Sequence, residues 1–311
     1  MTDNPKKEPK YIYLGNDTIS VSTVPDKSKM RPLEKWMEMG STLGIQETLP
    51  PGYYVAVDGD GLSNVSLRSI KISTDDLIVS EKGPVNIILQ EIQEFFTKKE
   101  VYLKYGFSHK RGYLLHGPPG CGKSSITALI AREFFRNGGI VLMADNAWYL
   151  KNALQDIRKV NKDTPLLVLL EDIDAMIEKG NEADLLAILD GQFSVANTVN
   201  IATTNYPEKL DGRLTDRPSR FDRRLEFGLP DDDVKLQYLK YKLTDELTEE
   251  QYQEWLGLTK GFSLGHIKEL VVSVKCMGGE LHEVAARIKA LKNKPKSEST
   301  DSKVGFSKDI F

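Results

Sequence analysis

Cysteine is scarce: the 311 residues hold two, Cys121 and Cys276, far apart and in unlike contexts. A disulfide framework and a four-ligand zinc site both need more sulfur than that, so a reducing compartment fits the composition. Long apolar runs are missing too. The longest, Leu166-Leu167-Val168-Leu169-Leu170, falls far short of the roughly 20 residues that cross a bilayer, so no integral membrane segment is expected. Positive charge is not in excess, since 42 Lys and Arg stand against 45 Asp and Glu for a net charge of -3. That balance argues against nucleic acid or an anionic membrane as a partner. The first ten residues contain Asp3, Glu8 and two prolines but no Arg and no apolar core behind them, unlike a secretory signal or a transit peptide. A cytoplasmic location is expected. What remains, 40% hydrophobic and 28% charged residues, excludes a collagenous or wholly disordered chain and allows one or two domains.

Residues 1 to about 30, rich in Lys, Ser, Thr, Asp and Pro, read as a flexible arm. From 31 to 84 the turn signals Pro50-Pro51-Gly52 and Asp58-Gly59-Asp60-Gly61 separate two β-rich pieces, Tyr53 to Val57 and Val65 to Ile72, and predict a small β-containing module. Val85 to Phe96 spaces its apolar residues as an amphipathic helix does. Strands then alternate with helices: strands are expected at Tyr113 to Leu115, Ile140 to Ala144, Leu166 to Leu170, Val199 to Thr203 and Arg224 to Phe227. Continuously apolar strands separated by helices predict a parallel sheet covered on both faces, a three-layer α/β domain over 85–230. After Pro230 the pattern is helical throughout, so a small α-helical domain is expected over 231–292 and a disordered tail over 293–311.

Gly117-Pro118-Pro119-Gly120-Cys121-Gly122-Lys123-Ser124 is a full G-x-x-x-x-G-K-S between a strand and a helix, the context a P-loop requires. Glycines let backbone N–H groups turn inward around phosphate oxygens, and the helix N-terminus adds partial positive charge. Lys123 would reach the β and γ phosphates and Ser124 would ligate magnesium. Pro118, Gly120, Cys121, Gly122, Lys123, Ser124 and Ser125 are the candidate nucleotide contacts here, with the Cys121 side chain as loop filler. A nucleoside triphosphate with Mg2+ is the expected ligand, and the family resemblance below makes it ATP.

The apolar strand Leu166 to Leu170 ends in Glu171-Asp172-Ile173-Asp174. Carboxylates at the carboxyl end of a central parallel strand sit where an open α/β sheet binds its ligand. One acid would hold the magnesium and its neighbour would orient an attacking water.

Together, Gly117 to Ser124, the acidic strand end, Ala202-Thr203-Thr204-Asn205 and Arg217-Pro218-Ser219-Arg220-Phe221-Asp222 resemble the AAA family of ATPases in order and spacing. Leu185-Leu186-Ala187-Ile188-Leu189-Asp190-Gly191 and Gly261-Phe262-Ser263-Leu264-Gly265 extend the likeness, which runs from about Val85 to Glu269. Within the family, Tyr105-Gly106-Phe107, Lys110 to Leu115 and Leu169-Leu170-Glu171-Asp172 look most like the mitochondrial Rieske-protein-translocating branch, without that branch's membrane helix.

The resemblance implies roles. Most AAA proteins place Asp before Glu at the strand end; here the order is reversed, which gives Glu171 the magnesium role and Asp172 the water-activating role. Asn205 would be the sensor beside the γ-phosphate, against the simpler reading of a turn residue. Arg217 and Arg220 match the paired arginine fingers that act on a neighbouring subunit's nucleotide, against the simpler reading of a surface salt-bridge cluster. Gly106, between Tyr105 and Phe107, aligns with the segment that cups adenine; core packing is the competing reading. His266 is placed near the adenine or else on the lid surface. A homo-oligomeric ring is implied, a hexamer by family default or a heptamer by branch.

The chain departs from protein-unfolding relatives in lacking an aromatic-hydrophobic-glycine grip loop, with Trp148-Tyr149 as the nearest substitute. The expected function is an ATP hydrolase that remodels or translocates a macromolecule, a protein before a nucleic acid. The alternatives are a DNA-transaction ATPase of loader type and a slow-turnover ATP-binding switch.

Overall fold

Every residue of Leu166–Leu170 is buried, and the run alternates between two separate apolar clusters. Leu166, Val168 and Leu170 face one cluster while Leu167 and Leu169 face the other, because successive side chains of a strand point to opposite faces. A strand apolar on both faces needs helices on both, and the computed structural model supplies them. It describes residues 11–14, 18–22, 45–46, 49–58, 65–70, 84–180, 182–190, 196–210, 212–215, 220–244 and 246–292.

The strands are β1 (Tyr11–Leu14), β2 (Thr18–Ser22), β3 (Ile45–Gln46), β4 (Gly52–Asp58), β5 (Val65–Ser69), β6 (Lys110–His116), β7 (Ile140–Met143), β8 (Leu166–Leu170), β9 (Thr198–Thr204) and β10 (Arg223–Glu226). Among the described residues they form one sheet in the order β10-β6-β9-β8-β7-β4-β5-β2-β1-β3. From β10 to β4 all pairings are parallel; beyond β4 they are antiparallel. One face is covered by α1 (Pro84–Thr97) and α3 (Lys123–Arg136), through Ile88, Ile92, Phe95, Ile130 and Phe134. The other carries α4 (Ala147–Val160), α5 (Ile173–Glu178) and α6 (Glu182–Asp190), through Leu150, Leu154, Ile157, Met176 and Leu185. The short α2 (Lys99–Lys104) lies between α1 and β6 in the chain, and the short α7 (Gly212–Thr215) between β9 and β10.

Within the stretch expected to be an arm, Tyr11–Leu14 and Thr18–Ser22 are strands, while 1–10 and 23–30 lie outside the described residues; in the expected β-containing module, β4 pairs with β7 from Gly52↔Ile140 to Val55↔Met143. The added strands continue the sheet of the P-loop. The reason is the open edge of β7, whose row of backbone donors and acceptors accepts a further strand. Asn161, just past α4, secures the approach to β4: its side chain accepts from Leu49 N at 2.7 Å and donates to Leu49 O at 2.9 Å, both buried. The tail 293–311 lies outside the described residues.

Contacts divide the chain at Leu229/Pro230 into two units. The second is helical, with α8 (Asp232–Leu243), α9 (Glu249–Leu258), α10 (Leu264–Val271) and α11 (Leu281–Lys292) packed around Leu239, Tyr252, Trp255, Phe262, Ile267 and Leu270. The first three of these helices start on side-chain caps at Asp231, Thr248 and Ser263, which satisfy amides left free by the first turn.

Candidate functional site

The loop between β6 and α3 turns on glycine. Gly117, Gly120 and Gly122 have φ of 145°, 76° and 92°, a region that disfavours side chains. A Cβ on Gly117 would stand 2.0 Å from Phe227 O, so the loop's first residue is glycine for space as well. Pro118, Pro119 and Gly120 are exposed at the crest, and Gly122 leads into α3 without a side-chain cap. The first amides of the helix are thereby left for an outside acceptor. Cys121 is buried against the α1/α3 side of the sheet, and that burial raises its thiol pKa; it fills the loop and is not a reactive cysteine. Ser124 is exposed at the first turn of α3, with Ser125 half-buried beside it.

Lys123 is buried, and its ammonium donates to Gly117 O at 2.6 Å, Pro118 O at 3.0 Å and Asn205 Oδ1 at 2.6 Å. Burial pulls its pKa below the ordinary lysine value, partly offset by the charges of Asp172 and Asp174. Asn205, just beyond β9, also donates from Nδ2 to Asp172 Oδ1 at 3.3 Å. The structure thus joins the candidate phosphate lysine, the sensor candidate and the water-activating candidate in one chain of hydrogen bonds.

Both acids stand at the end of β8. Asp172 holds a left-handed backbone, φ 48° and ψ 56°, and its N–H donates to Thr203 Oγ1 at 3.1 Å. Aspartate tolerates that region better than most residues, and the turn aims its carboxylate at Asn205. Glu171 accepts from Thr127 Oγ1 at 3.1 Å. Protein crowding its carboxylate pushes its pKa up, the Thr127 bond opposes the shift and the Asp172 charge adds to it. Asp174 is buried and accepts from Thr204 Oγ1 at 2.6 Å.

The remaining candidates are more dispersed. Arg220 lies against its own chain, its fork closed on Asp190 at the end of α6, Nε to Oδ1 at 2.7 Å and Nη2 to Oδ2 at 2.8 Å, with the side chain 5% exposed. A surface cluster does not describe it. Arg217 lies outside the described residues. Gly106 takes φ 74° after α2, and Tyr105 and Phe107 on either side are 65% and 66% exposed, so neither packs in the core. His266 belongs to the helical unit, where its Nδ1 lies 2.8 Å from Ser263 Oγ in the cap of α10. Trp148 is 39% exposed at the start of α4 while Tyr149 packs on the core.

The model of the AAA family, ATPases associated with various cellular activities, matches residues 113–229. Residues 113–229 are an AAA ATPase domain. Similar proteins include the cell division cycle protein 48 homologue of Archaeoglobus fulgidus, 28% identical over 71% of this chain and 33% of that protein. The proteasome-activating nucleotidase of Pyrococcus furiosus is 31% identical over 69% of this chain and 57% of its own length. The chain therefore spans between a third and just over half of these relatives. The crystal structure of the FIGL-1 AAA domain in complex with ADP aligns with a TM-score of 0.50 at 19% identity, covering 71% of this chain and 84% of that one, and shares the fold. Among the described residues no helix is long and apolar enough to cross a membrane.

Thr127, Asp174, Thr204 and Asp190 join the site only through the fold. Nothing in the spacing of Asp174, Thr204 and Asp190 names their partners. Thr127 follows Ser124 by three residues and so shares its helix face, which is the one local signal among them.

Proposed function

We propose that this chain hydrolyses ATP to ADP and phosphate with Mg2+, in a homo-oligomeric ring, and couples the cycle to remodelling or translocating a protein client. The observation that carries the reading is the Lys123–Asn205–Asp172 chain of hydrogen bonds, which holds a phosphate-binding cation and a carboxylate on the two sides of one amide. When the β and γ phosphates enter, Lys123 exchanges the loop carbonyls for phosphate oxygens. Asn205 and Asp172 then flank the space where water lines up behind the γ-phosphate, with Asp172 accepting its proton.

The donor set fits magnesium: Mg2+ keeps most of its shell as water and phosphate oxygen and takes few protein ligands, here Ser124 and Glu171. Among the described residues no group of three or more His, Cys, Asp or Glu could hold a metal by itself. Bound magnesium would neutralise charge on the transferring phosphate. Tyr105-Gly106-Phe107 offers exposed aromatic surface for adenine. Arg217 and Arg220 are assigned to the neighbouring subunit's nucleotide in a hexamer or heptamer, which requires Arg220 to leave Asp190. A relative named for activating the proteasome favours a protein client, and the free cysteines suit the cytoplasm.

A slow-turnover switch is the second reading, favoured by the reversed Glu171-Asp172 order. The test is steady-state ATP hydrolysis across protein concentrations, with Lys123→Ala, Asp172→Asn and Arg220→Ala alongside. Cooperative activity lost in all three supports the ring motor. Tight binding without turnover at any concentration gives the switch, and absence of nucleotide binding overturns both.

A further inference from the structure

Thr127 has no place in the P-loop motif, yet its hydroxyl meets the carboxylate of Glu171, one proposed magnesium ligand, and the backbone carbonyl of Ser124, the other ligand residue. It is fully buried one turn into α3, and its single hydroxyl proton has two acceptors in reach: Ser124 O at 2.9 Å and Glu171 Oε1 at 3.1 Å. Glu171 is one methylene longer than an aspartate at the same strand end and has one more torsion to settle. A side chain with that freedom visits several rotamers, and only some present an oxygen toward Ser124. A hydroxyl fixed on a buried helix face removes much of the choice by engaging one carboxylate oxygen and leaving the other for the metal.

We propose that Thr127 is a positioning residue for the magnesium of this site, holding Glu171 Oε1 so that Oε2 faces the ion beside Ser124. The proposal rests on the reading of Ser124 and Glu171 as the magnesium ligands. The second acceptor makes the device tolerant: when Glu171 moves, the hydroxyl turns to Ser124 O, so no buried donor is left unpaired. Partners of this kind, one shell out from a ligand, set its orientation and hence the affinity of the ion.

The test measures affinity for a fluorescent non-hydrolysable ATP analogue as a function of Mg2+ and again in EDTA. Thr127→Val keeps the shape and removes the hydroxyl. It should raise the Mg2+ concentration for half-maximal effect by about tenfold, the lower end for such partners, while affinity in EDTA stays within about twofold of wild type. Thr127→Ser should restore the wild-type Mg2+ response. In a Glu171→Ala background Thr127→Val should add nothing, because the group it orients is gone. An unchanged Mg2+ response in Thr127→Val, an equal loss in EDTA, or full additivity with Glu171→Ala would overturn the proposal while leaving the ATPase reading intact. Failure of wild-type protein to bind nucleotide more tightly with Mg2+ would overturn that reading and this one with it.

Discussion

The ammonium of Lys123 lies 2.6 Å from Oδ1 of Asn205, two residues 82 apart in sequence. The amide orientation follows from its neighbours, since Oδ1 accepts from a cation while Nδ2 donates to the Asp172 carboxylate. With its side chain oriented from both ends, Asn205 is preorganised before any ligand arrives. Asn205→Ala should therefore lower ATP turnover by about 10²-fold, the effect of removing one preorganised donor. Nucleotide affinity should stay within a few fold, because Lys123 keeps its charge; paired turnover and binding measurements decide it.

Gly112 faces the turn that carries Arg220. Its N–H donates to Asp222 Oδ2 at 2.7 Å, and a Cβ there would stand 2.1 Å from Arg220 O. The nearest atoms are all backbone of Arg220 and Phe221, which leaves little room to yield. Gly112→Ala should destabilise the fold by about 2 kcal/mol, roughly 5 °C in Tm, seen by thermal unfolding.

Arg220 and Asp190 form a two-pronged pair with the arginine almost wholly buried. Removing the carboxylate charge takes the two-pronged counter-charge away from a cation held out of water. Asp190→Asn should lower stability by about 3 kcal/mol in denaturant titration. Arg220→Ala removes both charge and fork, so its loss of turnover is to be read only from protein shown to be folded.

His109 is fully buried, stacked on Phe95 at 4.0 Å between centroids, with Nε2 2.9 Å from Phe95 O. Burial holds its pKa below the ordinary value of 6.5, against the opposing pull of that hydrogen bond. Below pH 6.5 the unfolded chain takes up a proton that the folded chain resists, so stability is full above that pH and declines as pH falls below it. His109→Gln should flatten the decline in urea midpoints measured between about pH 5 and 8.

The parts legible in the sequence are those whose physics is local. Gly117, Gly120 and Gly122 declare a phosphate loop because their backbone angles suit few other residues, and the apolar runs at Tyr113–Leu115 and Leu166–Leu170 declare buried parallel strands through their own composition. Glu171 and Asp172 directly follow the carboxyl end of β8, as the apolar run before them implies. What needed the tertiary structure were the partnerships: β4 on β7, Asn161 on Leu49, Thr127 on Glu171, Arg220 on Asp190. A helix or strand period constrains neighbours within a few positions, whereas a hydrogen bond across 112 residues, as between Leu49 and Asn161, depends on how the layers close over one another. The sequence by itself determined the loop, the layers and the chemistry on offer at the strand ends. Only the closed sheet decided which of those groups meet, because side chains from different strands and helices come within hydrogen-bonding range only once the layers have packed.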